Sequence, residues 1–504
     1  MIRRPIPLAL AAAAALAGCN LAPTYVRPAA PVPAALPEGG VYPLRNGEAP
    51  AAIDWREVFR DPRLQALIAA ALAENRDLRT ALANVEAARA QYRIARADLF
   101  PAVSASAGYA RGGSRSSGAT TTTRGTTTGT TTGPTTGTGT GTGGTTITAT
   151  SGGRDYQTYS LQGGITSWEI DLFGRLRNLT QAQFQSFLAT DAGARATRLT
   201  LVADTASAWL TYAADRDLLA AAEQTAESAR QSVALTDRRR AGGIASAVDV
   251  EQARTVLATA LSDVATQRTQ VAQDRNALDL LVGRPAADAE LPRGLDDVAP
   301  LGEVPAGLSS TILLRRPDVV QAERNLIAAN ANIGAARAAF FPTISLTAIA
   351  GLASGALSSL FSGGAFNWSV NPQATLPIFQ GGALTGNLEY ARAERDAYLA
   401  TYEGTIQTAF QEVADALATR GTIDDRLAAQ RQLVAASERT FRLTNQRYRT
   451  GIDTFLSALD AQRTLYQAQQ SLVTARLAEA DNLVTLYRVL GGDQLITVAD
   501  RENR

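Results

Sequence analysis

Tyr448-Arg449-Thr450-Gly451-Ile452 closes a Pro-free run that begins at Asn387, and the chain returns from it, again without a proline, to Gly491. The outgoing arm, Asn387 to Arg449, would reach ~95 Å as a helix rising ~1.5 Å per residue, several times the ordinary globular length. No proline follows Pro377, so the run carries no strong helix breaker. Ile406, Phe410, Val413 and Leu417 are spaced by four, three and four, which is one helical face. On the return arm Leu459, Tyr466, Val473, Ala480 and Tyr487 recur every seventh residue, the seam of a supercoiled helix. The run is charged throughout and too polar to span lipid. It predicts a long helical hairpin.

The same object occurs earlier in the chain. Asn178 to Arg240 is another Pro-free arm of the same length, and Val250, Leu257, Val264, Val271 and Leu278 form a second heptad row behind it. The turn from Leu235-Thr236 to Gly243-Ile244 matches Leu443-Thr444 to Gly451-Ile452 at one constant offset. Upstream the offset is larger and again constant, where Asp77, Ala81, Asn84, Ala88, Arg96, Phe100 and Pro101 match Asp318, Ala322, Asn325, Ala329, Arg337, Phe341 and Pro342. The first copy therefore holds extra sequence, which the Thr/Gly tract between Gly112 and Gly153 supplies. The chain is an internal duplication, each copy reading helix, strand, strand, long helix, turn, helix.

Composition narrows the class. The 504 residues are 45% hydrophobic with a net charge of +1, enough for a large ordered protein with no general bias toward nucleic acid. Aromatics are 6% and alanine is abundant, which suits close-packed helices. There is no His and no Lys, and the single Cys excludes an intrachain disulfide. Met1-Ile2-Arg3-Arg4 followed by the apolar Pro5 to Leu16 has the form of a secretory signal. Its end, Leu16-Ala17-Gly18-Cys19, resembles the bacterial lipobox. That resemblance implies a diacylglyceryl and an N-acyl chain on Cys19, and Asn20 in place of Asp implies transit to the outer membrane. The alternative is an ordinary signal with an incidental cysteine. No other cofactor is expected.

Residues 21–50 are Pro/Ala-rich and extended, able to wrap a surface or tether the lipidated end. Asp61-Pro62 starts the first helix, which runs toward Asp98. Four segments then alternate at period two. Val103, Ala105, Ala107 and Tyr109 face opposite Ser104, Ser106 and Gly108; Tyr159, Leu161, Gly163 and Ile165 face opposite Ser160, Gln162, Gly164 and Thr166. In the second copy Ile344, Leu346 and Ala348 form one such face, and Phe366, Trp368, Val370, Ala374 and Leu376 another. The Thr/Gly tract between the first pair has no periodicity and reads as a mobile loop; its glycines are not followed by the Lys-Ser/Thr of a phosphate cradle. Trp168 to Arg175 carries Glu169 and Asp171 with no visible catalytic partner and reads as a strand-to-helix junction. Four amphipathic strands of ~10 residues suit a lipid-exposed barrel, but the smallest such barrels need ~8, and open edges are not tolerated in lipid. Other copies must supply the missing edges; dimer and trimer both satisfy the count.

Arg316-Pro317-Asp318, Ala336 to Leu346, Trp168 to Gly174, Tyr448 to Ile452 and Leu459 to Arg463 together resemble the outer membrane factor family of TolC-like export ducts over nearly the whole mature chain. The resemblance implies a mainly α fold with a small β portion. In it a homotrimer forms a 12-stranded outer-membrane barrel, four strands per protomer, continuous with a periplasmic α-helical barrel. On this basis residues 1–18 are the signal, 19–60 the lipidated extended segment and 61–284 the first repeat. Its strands fall at about 101–110 and 156–170, a low-complexity loop at 111–155, and its helices at 172–240 and 246–283. Residues 285–313 link to the second repeat at 314–491, with strands at about 343–353 and 366–377 and helices at 384–449 and 454–490; 492–504 are a tail.

The implied partners are a periplasmic adaptor, an inner-membrane RND-type pump and outer-membrane lipid. By motif, Leu456 would be an apolar constriction, Asp460 a ring of carboxylates, and Arg463 and Tyr448 members of a network that holds a periplasmic gate shut. Relatives with a second gate Asp align it with Ser457 here, so the ring should be less negative. On residues alone Asp460 and Arg463 are an i, i+3 helix pair of a few tenths of a kcal/mol. Gly243, Ile244, Gly451 and Ile452 are the exposed tips, where an adaptor would dock; glycine there is explained by chain reversal alone. The function so implied is a passive exit duct for drugs or other small molecules. The alternatives are a type I secretion outlet for proteins and, from another class, an outer-membrane-anchored coiled-coil scaffold or adhesin. Four alternating segments at matched places in two repeats serve no purpose in a scaffold. An enzyme is disfavoured, since neither a His-dependent hydrolase nor a metal-ligand cluster is available. The only Met is Met1, so no Met-based metal relay exists.

Overall fold

The computed structural model describes residues 20–42, 53–113, 155–302 and 309–496. Cys19, the signal and most of the Thr/Gly tract lie outside them. In the first repeat the helices are α1 (Trp55–Val58), α2 (Pro62–Glu74) and α3 (Arg76–Ala97), followed by strands β1 (Val103–Gly113) and β2 (Asp155–Ile170) and helices α4 (Arg175–Ala241) and α5 (Ala247–Val282). The second repeat consists of α6 (Pro317–Ala338), β3 (Thr343–Ser354), β4 (Phe366–Thr375), α7 (Ala383–Arg449) and α8 (Phe455–Val489). No described helix is long and apolar enough to cross a membrane. The first helix is not continuous as expected. It breaks at Asn75, whose side-chain oxygen accepts from the Leu78 amide at 2.9 Å and whose side-chain NH2 donates to the Leu281 carbonyl at 3.0 Å. A side chain that caps a new helix and binds elsewhere outcompetes helix continuation there.

The chain forms two compact units. One comprises residues 1–26, 88–187 and 326–397, the other 27–87, 188–325 and 398–504. The first holds a single antiparallel sheet in the order β1-β2-β3-β4. Val103, Ile165, Ala348 and Val370 lie side by side across it, as do Ala107, Leu161, Leu352 and Phe366. One face is thus apolar across all four strands, while Ser106, Gln162, Gly351 and Asn367 share the other. Strict alternation from Ile165 would put Trp168 and Ile170 on the polar face. A bulge between Ile165 and Trp168 adds one residue to β2, so Trp168 pairs with Leu346 and Ile170 with Ile344, back on the apolar face. An added Cβ at Gly164 would sit 2.1 Å from the Ala348 carbonyl oxygen, and one at Gly351 2.4 Å from that of Leu161. The strands approach too closely there for any side chain. Within this unit Asn330 donates to the Pro23 carbonyl at 2.7 Å and Arg337 to that of Leu21 at 3.1 Å, fixing the extended N-terminal segment on α6.

The second unit is helical. Asp61 caps α2 ahead of Pro62, Ser246 and Asp249 form a capping box at α5, and Thr454 caps α8. Leu219, Ala222, Ala226 and Ala229 of α4 pack on Ala260 and Val264 of α5, and Ile423 and Leu427 of α7 pack on Ala475 of α8. Alanine at these seams lets long helices lie close together. Trp209 is fully buried and its indole N–H donates to the Glu290 carbonyl at 3.0 Å. Arg27 grips the buried Glu323 carboxylate through two bonds of 2.7 and 2.6 Å.

Candidate functional site

The two hairpin turns are built alike, one in each repeat. The Ile244 amide donates to the Arg239 carbonyl at 2.8 Å and the Gly243 amide to Arg240 at 2.9 Å; Ile452 and Gly451 do the same to Arg447 and Tyr448 at 2.9 and 3.0 Å. These paired bonds need a left-handed residue, supplied by Gly243 at φ 74° and Gly451 at φ 82°. Ile244 and Ile452 are exposed at the tips.

The turns differ in how they are braced. In the second, Arg447 forks onto Asp453 at 2.8 and 3.0 Å, an ion pair that holds the Asp453 carboxyl below the usual range. The counterpart of Arg447 in the first turn is Arg239, and that of Asp453 is Ala245. Lacking a carboxylate of its own, Arg239 reaches the second hairpin. Its Nη1 donates to the Tyr448 carbonyl at 2.6 Å, and its guanidinium lies 4.7 Å from the Tyr448 ring centroid. The Tyr448 hydroxyl bonds Thr236 Oγ1 at 3.1 Å, both groups being buried. The Tyr448 ring packs on Phe455 at 5.4 Å, with Ala253 and Ala458 around it. Three contacts of different kinds thus clamp one hairpin to the other.

Within the chain Tyr448 is therefore engaged with Thr236 and Arg239 across the two turns. Arg463 and Leu456 line a groove of about 400 Å³ that α8 forms with Gln252, Val256, Thr259 and Asp263 of α5. Asp460 is exposed and does not line that groove. Among the described residues no ion pair joins Asp460 to Arg463, so the i, i+3 pair is not formed within the chain. Thr236 and Arg239 escaped sequence reading. The one signal was the loss of Asp453's counterpart at Ala245, which leaves an arginine to find another partner.

A second buried polar feature lies on the same hairpin. Asp274 is buried and accepts from Gln270 at 3.0 Å, and neighbouring Asp215 is pushed up to about 7 by burial and by the Asp274 carboxyl. A carboxyl whose pKa is raised by folding holds its proton more tightly folded than unfolded. Stability therefore falls as pH rises from the ordinary carboxylate range through about 7. The native protein is expected to unfold at a lower temperature at pH 8 than at pH 5, and Asp215→Asn to reduce that difference. Equal differences in the two proteins would refute the assignment. Among the described residues no cluster of side chains is arranged to hold a metal ion.

The comparisons with known proteins agree with this architecture. The model of the family described as outer membrane efflux protein matches residues 67–284 and 308–492, one segment for each repeat. The toluene efflux pump outer membrane protein TtgC of Pseudomonas putida is 46% identical over 480 residues, 95% of this chain and 93% of that protein. Outer membrane protein OprJ of Pseudomonas aeruginosa is 40% identical over 493 residues, 96% of this chain and 95% of the relative. The crystal structure of the open state of the Neisseria gonorrhoeae MtrE outer membrane channel superposes with a TM-score of 0.78 at 34% identity, covering 95% of this chain and 99% of that one. With its duplicated helical hairpins and its amphipathic four-stranded sheet, the chain belongs to the outer membrane efflux protein family and is an outer-membrane channel component of an efflux system.

Proposed function

We propose that three copies of the chain close one 12-stranded barrel in the outer membrane and form a passive exit duct. An inner-membrane RND-type pump would feed it through a periplasmic adaptor. The observation that carries this reading is the sheet. Its four strands share one continuous apolar face, and β1 and β4 each present an open edge. Lipid tolerates the face and not the edges, so the edges must meet those of other copies. The cargo is a small, largely apolar molecule, in keeping with the relative named for toluene efflux; energy comes from the pump, and the duct does no chemistry. Cys19 carries the lipid anchor, and Gly243, Ile244, Gly451 and Ile452 are where the adaptor docks. Leu456, Asp460 and Arg463 narrow the periplasmic end when three copies bring them together, and the Tyr448 clamp keeps that end closed.

Single-particle imaging with mass determination on detergent-extracted protein is expected to give a three-fold particle with a barrel at one end. A monomer, or a rod whose strands enclose no pore, would overturn the reading.

A further inference from the structure

The groove between α5 and α8 extends beyond the part that Leu456 lines. A second cavity of about 370 Å³ adjoins it, and the two share Thr259, Asp263, Arg463 and Tyr466. On α5 the wall runs from Gln252 to Gln267, ~23 Å at ~1.5 Å per residue. Lower numbers on one helix face lower numbers on the other, so the groove is a furrow leading away from the two turns. Its ends differ. Near the turns the wall is Val256, Ala260, Leu456 and Leu459, and Leu456 is 64% exposed. Farther on it is Asp263, Thr266, Gln267 and Tyr466.

The polar end holds acceptors that the chain does not match with donors. Asp263 is half-buried and makes no ion pair or hydrogen bond among the described residues. Gln267 Oε1 is buried and also lacks a partner. Thr259 and Thr266 spend their hydroxyl protons on the carbonyls of Thr255 and Ser262, each at 3.0 Å, leaving only lone pairs for anything else. The Tyr466 ring packs on the core of α4 and α5. Its hydroxyl is buried with no hydrogen bond formed, the Gln470 side chain being close enough to be felt but not to bond. Buried polar atoms left unmatched cost the fold their desolvation, and here two of them lie in one cavity with an unpaired carboxylate. Arg463, the one cation among the lining residues, is exposed and pairs with none of them, so it leaves the carboxylate unneutralised.

We infer that this groove is a binding site for an amphiphile with a cationic amine head and an elongated apolar body. The head sits at the Asp263 carboxylate beside the Tyr466 ring and donates to Asp263 and to Gln267 Oε1. The body lies along Val256, Leu459 and Leu456 toward the turns. An ammonium brings three donors and no acceptor, the complement of this wall, and its bond to a carboxylate is of the strong, charge-assisted kind. A ligand lying there touches both hairpins and adds to the contacts that hold them together. The groove belongs to a single chain, so the inference does not rest on the oligomeric reading proposed above.

Dansylcadaverine, a fluorescent amphiphile whose primary amine is protonated at neutral pH, tests this on the full-length protein in lipid nanodiscs. Saturable binding at one site per chain is expected, above that to empty nanodiscs. Its N-acetyl derivative keeps the apolar body and loses the charge, and is expected to bind about tenfold more weakly, the worth of one charge-assisted hydrogen bond. Asp263→Asn is expected to weaken dansylcadaverine by a similar factor, to leave the acetyl derivative unchanged, and to keep the unfolding temperature, since Asp263 has no partner in the chain to lose. Glu438→Gln, at an exposed carboxylate on α7, should alter neither probe. Binding no greater than to empty nanodiscs overturns the site, and an equal loss in Glu438→Gln overturns it as a general charge effect. The rival occupant is another copy of the chain. Thr259→Cys is expected to react with a methanethiosulfonate reagent above the background of the unmodified protein, and dansylcadaverine to slow that reaction. A cysteine that reacts only after the oligomer is dissociated shows that another copy fills the groove, and overturns the inference.

Discussion

Thr236→Val combined with Arg239→Ala is expected to raise single-channel conductance several-fold in planar bilayers. The two changes remove a buried hydroxyl–hydroxyl bond, a charge-assisted bond to the Tyr448 carbonyl and the cation–π contact over its ring. A neutral hydrogen bond contributes about 1 kcal/mol net and a partly desolvated cation–π contact about 1 kcal/mol. Together with the charge-assisted bond, a loss of about 3 kcal/mol changes a closed-to-open ratio roughly a hundredfold, since about 1.4 kcal/mol is tenfold. Conductance rises only as far as the pore widens, hence the more modest expected change in current. Asp460→Ala should also raise conductance, by less, because the Asp460 carboxylate has no ion-pair or hydrogen-bond partner among the described residues and, in the trimer proposed above, would act through the ring it forms with other copies. Unchanged currents in the double variant would remove the clamp from the gate.

Arg316→Ala is expected to lower unfolding stability by about 3 kcal/mol, a large fraction of the ~5–15 kcal/mol that holds a typical fold. The buried guanidinium forks onto Asp318 at 3.1 and 2.6 Å, reaches Glu412 at 2.8 Å, and donates to the Val489 carbonyl at 2.9 Å. One side chain thus ties the start of α6 to α7 and to the end of α8. Removing one member of a buried ion pair costs about 3–5 kcal/mol, chiefly through the charge left behind. Asp318 and Glu412 are about two-fifths exposed, so water relieves part of that cost and the lower end applies. Arg316→Lys should recover only a fraction, because an ammonium cannot fork onto one carboxylate while bonding two further oxygens. Denaturant or thermal unfolding of the oligomer checks this; a midpoint within error of the unmodified protein would contradict it.

Much of the architecture was legible because it is local and repeated. The spacing of Ile406, Phe410, Val413 and Leu417 is a property of one helix, and the alternation of Phe366, Trp368 and Val370 a property of one strand. Where local rules conflict with a partner, they do not suffice. Alternation carried on from Ile165 would put Trp168 on the polar face, and the bulge that returns it to the apolar one is a relation between two strands. The break at Asn75 depends on a carbonyl at Leu281, far along the chain.

The sequence by itself determined the duplication, the hairpins with their glycine turns, the four amphipathic strands and the need for further copies. Those follow from backbone geometry and from the cost of open edges, which any chain with this pattern must obey. Only the tertiary structure decided which side chains meet at the tips. Arg239 and Tyr448 belong to different repeats, and nothing local to either says that an arginine deprived of its acidic neighbour will cross to the other hairpin. Electrostatic and hydrogen-bond partners are chosen by proximity in space after the helices have packed, so the clamp belongs to the fold and not to any one stretch of sequence.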